Sequence, residues 1–402
     1  MVGHEPASFI LKATARCNLN CPYCYMFNLR DRSFAGRPPV MPREVVVAAA
    51  GRIAAQVRRL GRTKASVTFH GGEPLLAGPA WFRDAVAALR GAAPEVAFEF
   101  TVQSNGVLLT GEWLDLFADL GVVVALSVDG LPEVHNRTRV DHAGRGTYEA
   151  TRRALERLNA HPAREQLFGG VLCVIDPSVS GAATYHHLRA LGVDRMDFLL
   201  PLDHNWDAPP PRPGAYAEYL LPIFDAWWAE NNPQVLVRML FDIMKLLVGA
   251  RQHIDSLGGA PVNIAVVETD GSLEPLDALR ACRDGLTLTG LNVLRHDLWA
   301  LQDTPVYQAA VAGQQGLDAI MCGGCALREV CGGGYLPNRY SAERGFANPS
   351  VYCLDLQRVI LHVAQHIDRA LPPAPAAGAP PWPGLSGGQG PAPTPLSDTL
   401  GP

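Results

Sequence analysis

Short apolar runs alternate with amphipathic stretches along the first half of the chain. Runs rich in β-branched and aromatic residues predict six strands, at 8–13, 65–70, 96–103, 122–128, 170–175 and 196–200. Between them, apolar residues recur at helical spacing and predict helices at 42–60, 81–89, 113–120, 147–158 and 185–191. Strands that alternate with helices in this way form parallel βα units, so the pattern predicts an α/β fold built as a partial, TIM-like (β/α)6 barrel.

The pattern changes after the sixth strand. A Pro-rich stretch leads into two predicted helices at 216–229 and 235–248, a hairpin follows with its turn at Asp270-Gly271, and 354–371 predicts a final helix. The remaining residues are almost all Pro, Gly, Ala and Ser, a composition typical of a disordered tail. The predicted organisation is given by the ranges 1–210 for the barrel, 211–255 for a helical linker, 256–371 for a smaller C-terminal domain and 372–402 for the tail.

Composition narrows the class of protein. The 402 residues are 48% hydrophobic and 18% charged, which describes a soluble globular protein with a sizeable core. The net charge of −5, without a dense basic run, argues against nucleic acid or an acidic membrane as a partner. Since no apolar stretch reaches the ~20 residues that span a bilayer, and no signal peptide is evident, a cytoplasmic location is expected.

The nine cysteines lie at positions 17, 21, 24, 173, 282, 322, 325, 331 and 353, and seven of them form two groups, one near each end of the chain. Such clusters indicate metal sites rather than disulfides in a protein of this kind. The first group has the spacing C-x3-C-x2-C and follows the first strand. Three thiolates hold three corners of a [4Fe–4S] cube and leave one iron open for chemistry. The alternative is a structural zinc loop, which needs His70 or a distant cysteine as its fourth ligand.

Other polar motifs stand where predicted strands end. Gly71-Gly72-Glu73-Pro74 follows the second strand, Asn105 the third, and Ser127 the fourth. In a parallel barrel, the loops at the carboxyl ends of the strands build the active site. Glycines let the backbone approach a ligand closely, and a carboxylate pairs with a cationic amino group. An ordinary turn, cap or surface salt bridge is the alternative for each motif.

The first cysteine loop resembles the signature of radical S-adenosylmethionine (SAM) enzymes, C-x3-C-x-φ-C, with an aromatic residue at φ. The resemblance implies that Cys17, Cys21 and Cys24 bind a [4Fe–4S] cluster whose open iron chelates SAM. Reductive cleavage of SAM then yields a 5′-deoxyadenosyl radical, which abstracts an unactivated hydrogen. It also implies a set of SAM contacts, comprising Tyr23, Gly71, Gly72, Glu73, Pro74, Asn105, Ser127 and Arg139.

The C-terminal cysteines resemble a SPASM domain, an extension that usually carries seven cysteines and two auxiliary [4Fe–4S] clusters. Tyr335 replaces the last cysteine of its C-x2-C-x5-C-x3-C motif, and Leu276 replaces the first of the upstream pair, of which Cys282 remains. The first auxiliary cluster is therefore expected to be absent. The resemblance assigns one auxiliary cluster to Cys322, Cys325, Cys331 and Cys353. A four-cysteine zinc site is the alternative.

The stretches at 198–201, 268–279 and 345–353 further resemble FxsB-type radical SAM/SPASM peptide maturases. Several enzymes of that group form cyclophanes, joining an aromatic side chain to the β-carbon of a nearby residue in a precursor peptide. The resemblance implies abstraction of a Cβ hydrogen and ring closure, with a precursor peptide and an external donor of the flavodoxin or ferredoxin type as partners. Asp203 and His204, just past the sixth strand, are positional candidates for the base, and a solvated loop is the alternative.

Three other functions remain open at this point. A thioether-forming maturase, or a relative of the anaerobic sulfatase-maturating enzymes that oxidise Cys or Ser to formylglycine, would keep the same core. Those enzymes usually rely on a fuller auxiliary set than this chain contains. A metal-stabilised binding module without catalytic activity is the non-enzymatic alternative. No separate leader-binding domain is evident, so leader recognition is expected at the barrel rim, in the C-terminal domain or on another protein.

Overall fold

The computed structural model describes residues 5–250, 255–317 and 321–370. In this part of the chain, one sheet contains β1 Ser8–Thr14, β2 Lys64–Gly71, β3 Ala97–Ser104, β4 Val122–Ser127, β5 Phe168–Val174, β6 Arg195–Leu199, β7 Leu236–Val237, β8 Ile264–Val267 and β9 Leu273–Glu274. The strand order is β7-β6-β5-β4-β3-β2-β1-β8-β9. Strands β1 to β6 are parallel and adjacent in chain order. This confirms the predicted TIM-like α/β fold.

Helices cover the sheet and connect its strands. They are α1 Arg43–Arg59, α2 Pro79–Ala92, α3 Gly111–Leu120, α4 Pro132–Thr138, α5 Tyr148–Ala160, α6 Arg164–Leu167, α7 Gly181–Ala190, α8 Ala215–Glu230, α9 Arg238–Leu247, α10 Pro305–Val311, α11 Arg328–Cys331 and α12 Cys353–Ala370. Short 3₁₀ helices occupy Ser33–Gly36, Pro74–Ala77, Asp277–Ala281, Leu298–Asp303, Gly313–Gly316 and Leu336–Arg339. No helix in the described part of the chain is long and apolar enough to cross a membrane.

The barrel core lies between the sheet and its helices. Phe69 of β2 stacks on Phe100 of β3 with ring centroids 5.7 Å apart, and Phe82 of α2 meets Phe69 edge-on at 5.4 Å. All three rings are buried. Removing such a ring costs about 3–5 kcal/mol because the transfer and cavity terms add. This packing fixes the ends of β2 and β3, which carry two of the predicted motifs.

The hairpin from the C-terminal region joins the same sheet. Strand β8 pairs in parallel with β1, placing Ala265 opposite Phe9, and β9 pairs antiparallel with β8. Gly271 in the connecting turn has a φ of +83°, a conformation that favours glycine. The C-terminal region therefore extends the barrel sheet on its β1 side.

A second apolar cluster lies on the other face of β1 and β8. Leu276 and Cys282 are buried in it, together with Ile10, Leu336 and Tyr340. Leu276 and Cys282 occupy the positions at which the SPASM resemblance implied an upstream cysteine pair. Apolar side chains surround both residues.

Helix α12 packs against α8 and contributes to its N-terminus. The carboxylate of Asp355 accepts hydrogen bonds from the backbone N–H groups of Ala217, at 2.8 Å, and Gly214, at 3.2 Å. These groups lack partners within α8, since the first N–H groups of a helix have no intrahelical acceptor. The C-terminal helix is thus anchored to the helix that follows the barrel.

Candidate active site

The first three cysteines lie on the loop that follows β1. The loop turns tightly, with the Cys24 N–H donating to the Cys21 carbonyl at 3.0 Å and the Asn28 N–H to the Cys24 carbonyl at 2.8 Å. The Leu19 N–H lies 3.4 Å from the Cys17 sulfur. These local bonds shape the loop, and residues from distant elements also contact it.

The chemistry of the three thiols suits an iron cluster. All three are free. Burial raises the pKa of Cys17 to about 12 and that of Cys21 to about 11, and the charges of neighbouring thiolates raise them further. Buried thiolates that repel one another require a cationic partner, which the iron ions of a cluster supply. The donor set therefore fits the three-ligand site that the spacing predicted.

Asn105, at the end of β3, contacts the cysteine loop directly. Its Nδ2 atom donates to Asn18 Oδ1 at 2.8 Å and lies 3.8 Å from the Cys17 sulfur. The structure thus places one of the predicted SAM-contact residues beside a predicted cluster ligand.

Glu73 is buried beneath the same loops. Its carboxylate accepts hydrogen bonds from the Asn105 N–H and the Ser104 hydroxyl, both at 2.9 Å, and from the Leu75 N–H at 3.1 Å. Burial raises the pKa of Glu73 to about 7, even though these hydrogen bonds lower it. The Glu73 side chain therefore fixes the loop after β2 to the end of β3. This positioning role is separate from the contact with the SAM amino group that the resemblance implied.

The two glycines of this motif allow the β2 and cysteine loops to meet. A Cβ at Gly71 would lie 2.4 Å from the Thr14 carbonyl oxygen, and one at Gly72 would lie 2.1 Å from the Arg16 carbonyl oxygen. Any larger residue would push the loops apart. Pro74 is buried and begins the 3₁₀ helix that follows. The close approach seen here is between two backbones, whereas the sequence suggested approach to a ligand.

Ser127 and Arg139 lie near the ends of β4 and α4. The Gln103 side chain donates to the Ser127 hydroxyl at 2.9 Å. Arg139 Nε lies 3.1 Å from Asp129 Oδ2, and its guanidinium stands 5.7 Å from the centre of the Tyr23 ring. Burial opposes the charge of Arg139, but Asp129 raises the pKa of the guanidinium above its usual range. The structure therefore brings together Tyr23 and Arg139, two of the residues that the resemblance implied as SAM contacts, and that role stays a prediction.

Asp129 is a residue that the sequence predictions missed. Its carboxylate accepts hydrogen bonds from the Tyr23 hydroxyl, from the Thr138 hydroxyl at 2.9 Å and from the Val174 N–H at 3.2 Å. It thereby connects the cysteine loop with the ends of β4, α4 and β5. The signal was present in the Asp-Gly step that ends the fourth predicted strand.

A second missed group surrounds Lys12 of β1. Lys12 is fully buried, and its ammonium donates to Asp277 Oδ2 and lies 2.7 Å from His70 Nδ1. The Tyr25 hydroxyl, next to Cys24 in the sequence, donates to the same Asp277 oxygen at 3.0 Å. A lysine inside an otherwise apolar strand was the available signal, because such a charge is seldom buried without a partner.

Protonation states in this group follow from its charges. Burial would raise the pKa of Asp277, but the charge of Lys12 and its hydrogen bond lower it to about 2. Burial and the same ammonium lower the pKa of His70 to about 3. At neutral pH the group therefore contains an ionised carboxylate and an uncharged imidazole.

The predicted base candidates lie in a different setting. His204 Nδ1 is 2.7 Å from the Tyr352 hydroxyl and 3.3 Å from that of Tyr216, and Asp203 Oδ1 lies 4.0 Å away. Burial lowers the pKa of His204. These contacts are with α8 and with the residue before α12, and within the described residues none reaches the cysteine loop. A catalytic role for Asp203 and His204 stays a prediction.

The four C-terminal cysteines line one cavity of about 130 Å³. Cys331 ends α11 and Cys353 begins α12, while Cys322 and Cys325 lie on the preceding loop. Burial raises the pKa of Cys331 to about 12 and also raises that of Cys353, and neighbouring thiolates add to both shifts. Four converging thiols around one space fit the predicted closed cluster. The same four thiols also fit the zinc alternative.

Taken together, the fold and the N-terminal loop define an enzyme with a three-cysteine cluster at the ends of parallel barrel strands. Residues 11–172 match the family described as the radical SAM superfamily. The chain therefore carries a radical SAM domain over these residues, and it is an enzyme that uses a [4Fe–4S] cluster and SAM.

Curated relatives include sulfatase-maturating enzymes. The cysteine-type anaerobic sulfatase-maturating enzyme of Clostridium perfringens (strain 13) is 26% identical over 286 residues, covering 68% of this chain and 74% of that protein. The serine-type enzyme of Klebsiella aerogenes is 31% identical over 185 residues, covering 45% of this chain and 43% of that protein.

Solved structures share the fold. The structure of native anSMEcpe with bound AdoMet and Kp18Cys peptide has a TM-score of 0.76 at 23% identity, covering 90% of this chain and 98% of that one. Streptococcus suis SuiB bound to S-adenosylmethionine has a TM-score of 0.58 at 14% identity, covering 87% of this chain and 78% of that one. At these identities the likeness establishes the architecture.

Proposed function

We propose that this enzyme modifies a peptide by removing a Cβ hydrogen from one side chain and closing an intramolecular crosslink of the cyclophane type. The similarity to maturases that act on sulfatases supports a polypeptide substrate. When bound, the cluster and SAM supply the radical chemistry that removes an unactivated hydrogen atom. The electron for each cycle comes from an external donor of the flavodoxin or ferredoxin type.

The observation that carries this proposal is the ionised carboxylate of Asp277 beside the cysteine loop. Joining a Cβ–H carbon to a ring C–H carbon removes two hydrogens. One leaves as a hydrogen atom, and the other leaves as a proton and an electron. Asp277 accepts a hydrogen bond from Tyr25, the residue after Cys24, and is ionised at neutral pH. It is therefore a proton acceptor next to the predicted cluster, and it takes precedence over Asp203 and His204.

We propose that a cluster at the second cysteine group accepts the electron that is released in the same step. We place the auxiliary cluster at Cys322, Cys325, Cys331 and Cys353, where four thiols close the site and leave no iron for substrate. Such a cluster suits electron transfer or structural support.

Formylglycine formation is the second candidate, because the sulfatase-maturating relatives favour it. It also begins at a Cβ hydrogen and also needs a proton acceptor, so Asp277 serves both reactions. Against it, the resemblance to that group implied a fuller auxiliary set, and this chain has Leu276 and Tyr335 at two of those positions. Leu276 is buried among apolar side chains and offers no ligand atom for another cluster.

One experiment separates these candidates. The reconstituted enzyme is incubated anaerobically with SAM, a reductant and a candidate precursor peptide, chosen by searching the reading frames that neighbour its gene. A crosslink gives a loss of two hydrogens, release of 5′-deoxyadenosine and no reaction with a hydrazide probe. Formylglycine gives an aldehyde that the probe captures. Recovery of zinc in place of iron, with SAM intact, would refute the assignment of the clusters and with it the proposed chemistry.

A further inference from the structure

Two histidines and an aspartate converge on the surface between α8 and α12, away from the cysteine loop and the Lys12 group. Asp225 lies on α8, and His362 and His366 lie one turn apart on α12. One donor atom from each residue lies within 4.8 Å of the other two. The proposed peptide chemistry makes no use of these side chains.

The separations of the donor atoms are close to those around a small cation. Asp225 Oδ1 is 2.6 Å from His362 Nε2 and 3.8 Å from His366 Nε2. In a tetrahedral site with bonds of about 2.0–2.1 Å, ligand atoms are about 3.3 Å apart. One pair is slightly closer than that and the other slightly farther. The third separation, between the two histidine nitrogens, is no more than 4.8 Å.

The ring of His366 is oriented for metal binding. Its Nδ1 lies 3.0 Å from the His362 carbonyl oxygen, and because a carbonyl only accepts, Nδ1 carries the proton. In the neutral ring, Nε2 then has a free lone pair directed towards the Asp225 carboxylate. A cation between His366 Nε2 and the Asp225 carboxylate oxygen would remove the repulsion between these two electron-rich atoms. A histidine that donates its other N–H to a carbonyl is the usual arrangement of a metal ligand.

Aromatic packing holds both rings in place. The Phe224 ring meets His362 and His366 edge-on, with centroids 5.5 and 5.1 Å apart, and Trp228 lies 5.9 Å from His366. The histidine side chains are only 25% and 22% exposed, while that of Asp225 is 53% exposed. The site is therefore preorganised on its apolar side and open to solvent on the other.

An ordinary interhelical hydrogen bond explains only part of this arrangement. It accounts for Asp225 and His362, but not for the lone pair that His366 turns towards the same carboxylate. We propose that Asp225, His362 and His366 bind a divalent transition metal of borderline softness, with Zn²⁺ as the best match and water as the fourth ligand. Two imidazoles and a carboxylate are donors that Zn²⁺ accepts.

Such a metal would clamp α12 to α8. Helix α12 begins at Cys353, one of the four thiols of the second cysteine group, and the two histidines follow on the same helix. A bound ion would therefore restrain the helix that supplies the last sulfur of that group. This is a structural role, independent of whether the peptide product is a crosslink or an aldehyde.

The test uses the anaerobically reconstituted enzyme, so that the cysteines already hold iron. The protein is dialysed to equilibrium against micromolar Zn²⁺, and zinc and iron are measured by mass spectrometry. The parent should retain about one zinc per chain more than His366→Gln or Asp225→Asn, at equal iron content. Zinc should also raise the thermal midpoint of the parent but not of these variants.

His161→Gln is the matched control, because His161 pairs with an exposed aspartate, Asp115, at 3.2 Å without a second histidine. It should bind as much zinc as the parent. The proposal would be overturned if the parent bound no more zinc than His366→Gln or Asp225→Asn.

Discussion

The two cysteine groups differ chiefly in what surrounds their sulfurs. The three N-terminal thiols lie among polar side chains from several strand ends, such as Glu73, Asn105 and Arg139. The four C-terminal thiols line a cavity whose other walls include Leu317, Leu327 and Pro349. One group is set in a network of hydrogen bonds and charges. The other lies in a mainly apolar cavity, in which Gln357 donates to the Cys353 sulfur at 3.5 Å and Arg328 and Ser350 form part of the wall.

This difference teaches what each site is able to recognise. SAM carries an amino group, a carboxylate and a sulfonium, so it needs fixed polar partners as well as an open iron. The N-terminal site supplies polar partners that already hold one another in position, and its three thiols would leave one iron of a bound cluster open. The C-terminal site offers four sulfurs in a mainly apolar cavity with fewer polar groups. It suits a group that is enclosed by the protein and exchanges electrons, without binding a substrate.

The largest expected effect comes from removing the open site. Replacing Cys17, Cys21 and Cys24 together by Ala should abolish SAM cleavage, a loss of at least about 10³-fold, and reduce iron from about eight to about four per chain. Release of 5′-deoxyadenosine and an iron assay measure this. Cys282→Ala is the control, since Cys282 is buried in the second apolar cluster. Loss of iron from that control would show that the ligand assignment is wrong.

The next effect separates SAM cleavage from product formation. Asp277→Asn should lower the rate of peptide modification by about 10²–10⁴-fold, the range for a lost general base, while 5′-deoxyadenosine is still formed. Asp203→Asn is the matched comparison and should have little effect. Because Asp277→Asn leaves the buried Lys12 ammonium without its anionic partner, the double variant Lys12→Met/Asp277→Asn is also measured. Full product formation by the double variant would remove Asp277 from the mechanism.

A smaller effect is expected at the closed site. Cys325→Ala should lower iron from about eight to about four per chain while SAM is still cleaved, because the N-terminal ligands are intact. Iron content and 5′-deoxyadenosine release are measured together. Cys173→Ala, at a buried thiol within β5, is the control and should keep all its iron. If Cys325→Ala also stopped SAM cleavage in a folded protein, the two sites would not be separable.

The smallest effect concerns pH, and it arises from the polar surroundings of the N-terminal site. Burial and the nearby charge of Arg139 lower the pKa of His135 to about 4. Since this lies below the unfolded value of about 6.5, the contribution to stability is present above pH 6.5 and is lost as pH falls towards 4. Between pH 7 and 5 the loss is about 2 kcal/mol.

His135→Asn should reduce that loss, because the amide oxygen still accepts the Asp129 N–H and does not titrate. Urea midpoints at the two pH values, measured on both proteins in the same metal state, give the comparison. His70, whose pKa is lowered to about 3, also contributes to the loss of stability at low pH, and this contribution is the same in both proteins. An unchanged difference between the two pH values would contradict the role assigned to His135.

The sequence predicted the regular part of the fold well, because buried parallel strands are continuously apolar and their helices are amphipathic. Helix α4 was not predicted, since its seven residues are too few to show a period. Strand β7 was missed for the same reason. Because Leu236 pairs with Arg195 in this strand, the helix predicted at 235–248 begins only at Arg238.

The cysteine ligands were predictable because their spacing is local. Asp277 was not, since it meets Lys12 across 265 positions of the chain, and periodicity carries no information about such a contact. The role of Gly71 and Gly72 also depended on the folded chain, because the Thr14 and Arg16 carbonyls that they approach belong to another loop. The contacts that could not be predicted from the sequence are those between polar groups far apart along the chain.

The pairing of β8 with β1 makes the first half of the chain depend on a strand from the C-terminal region. A fragment that stops before Ile264 would leave β1 as an open edge, with unpaired N–H and C=O groups along the strand that leads into the cysteine loop. Open edges of this kind invite association with other chains. We therefore expect a fragment that ends before Ile264 to associate more readily than the full chain, unless another strand covers β1.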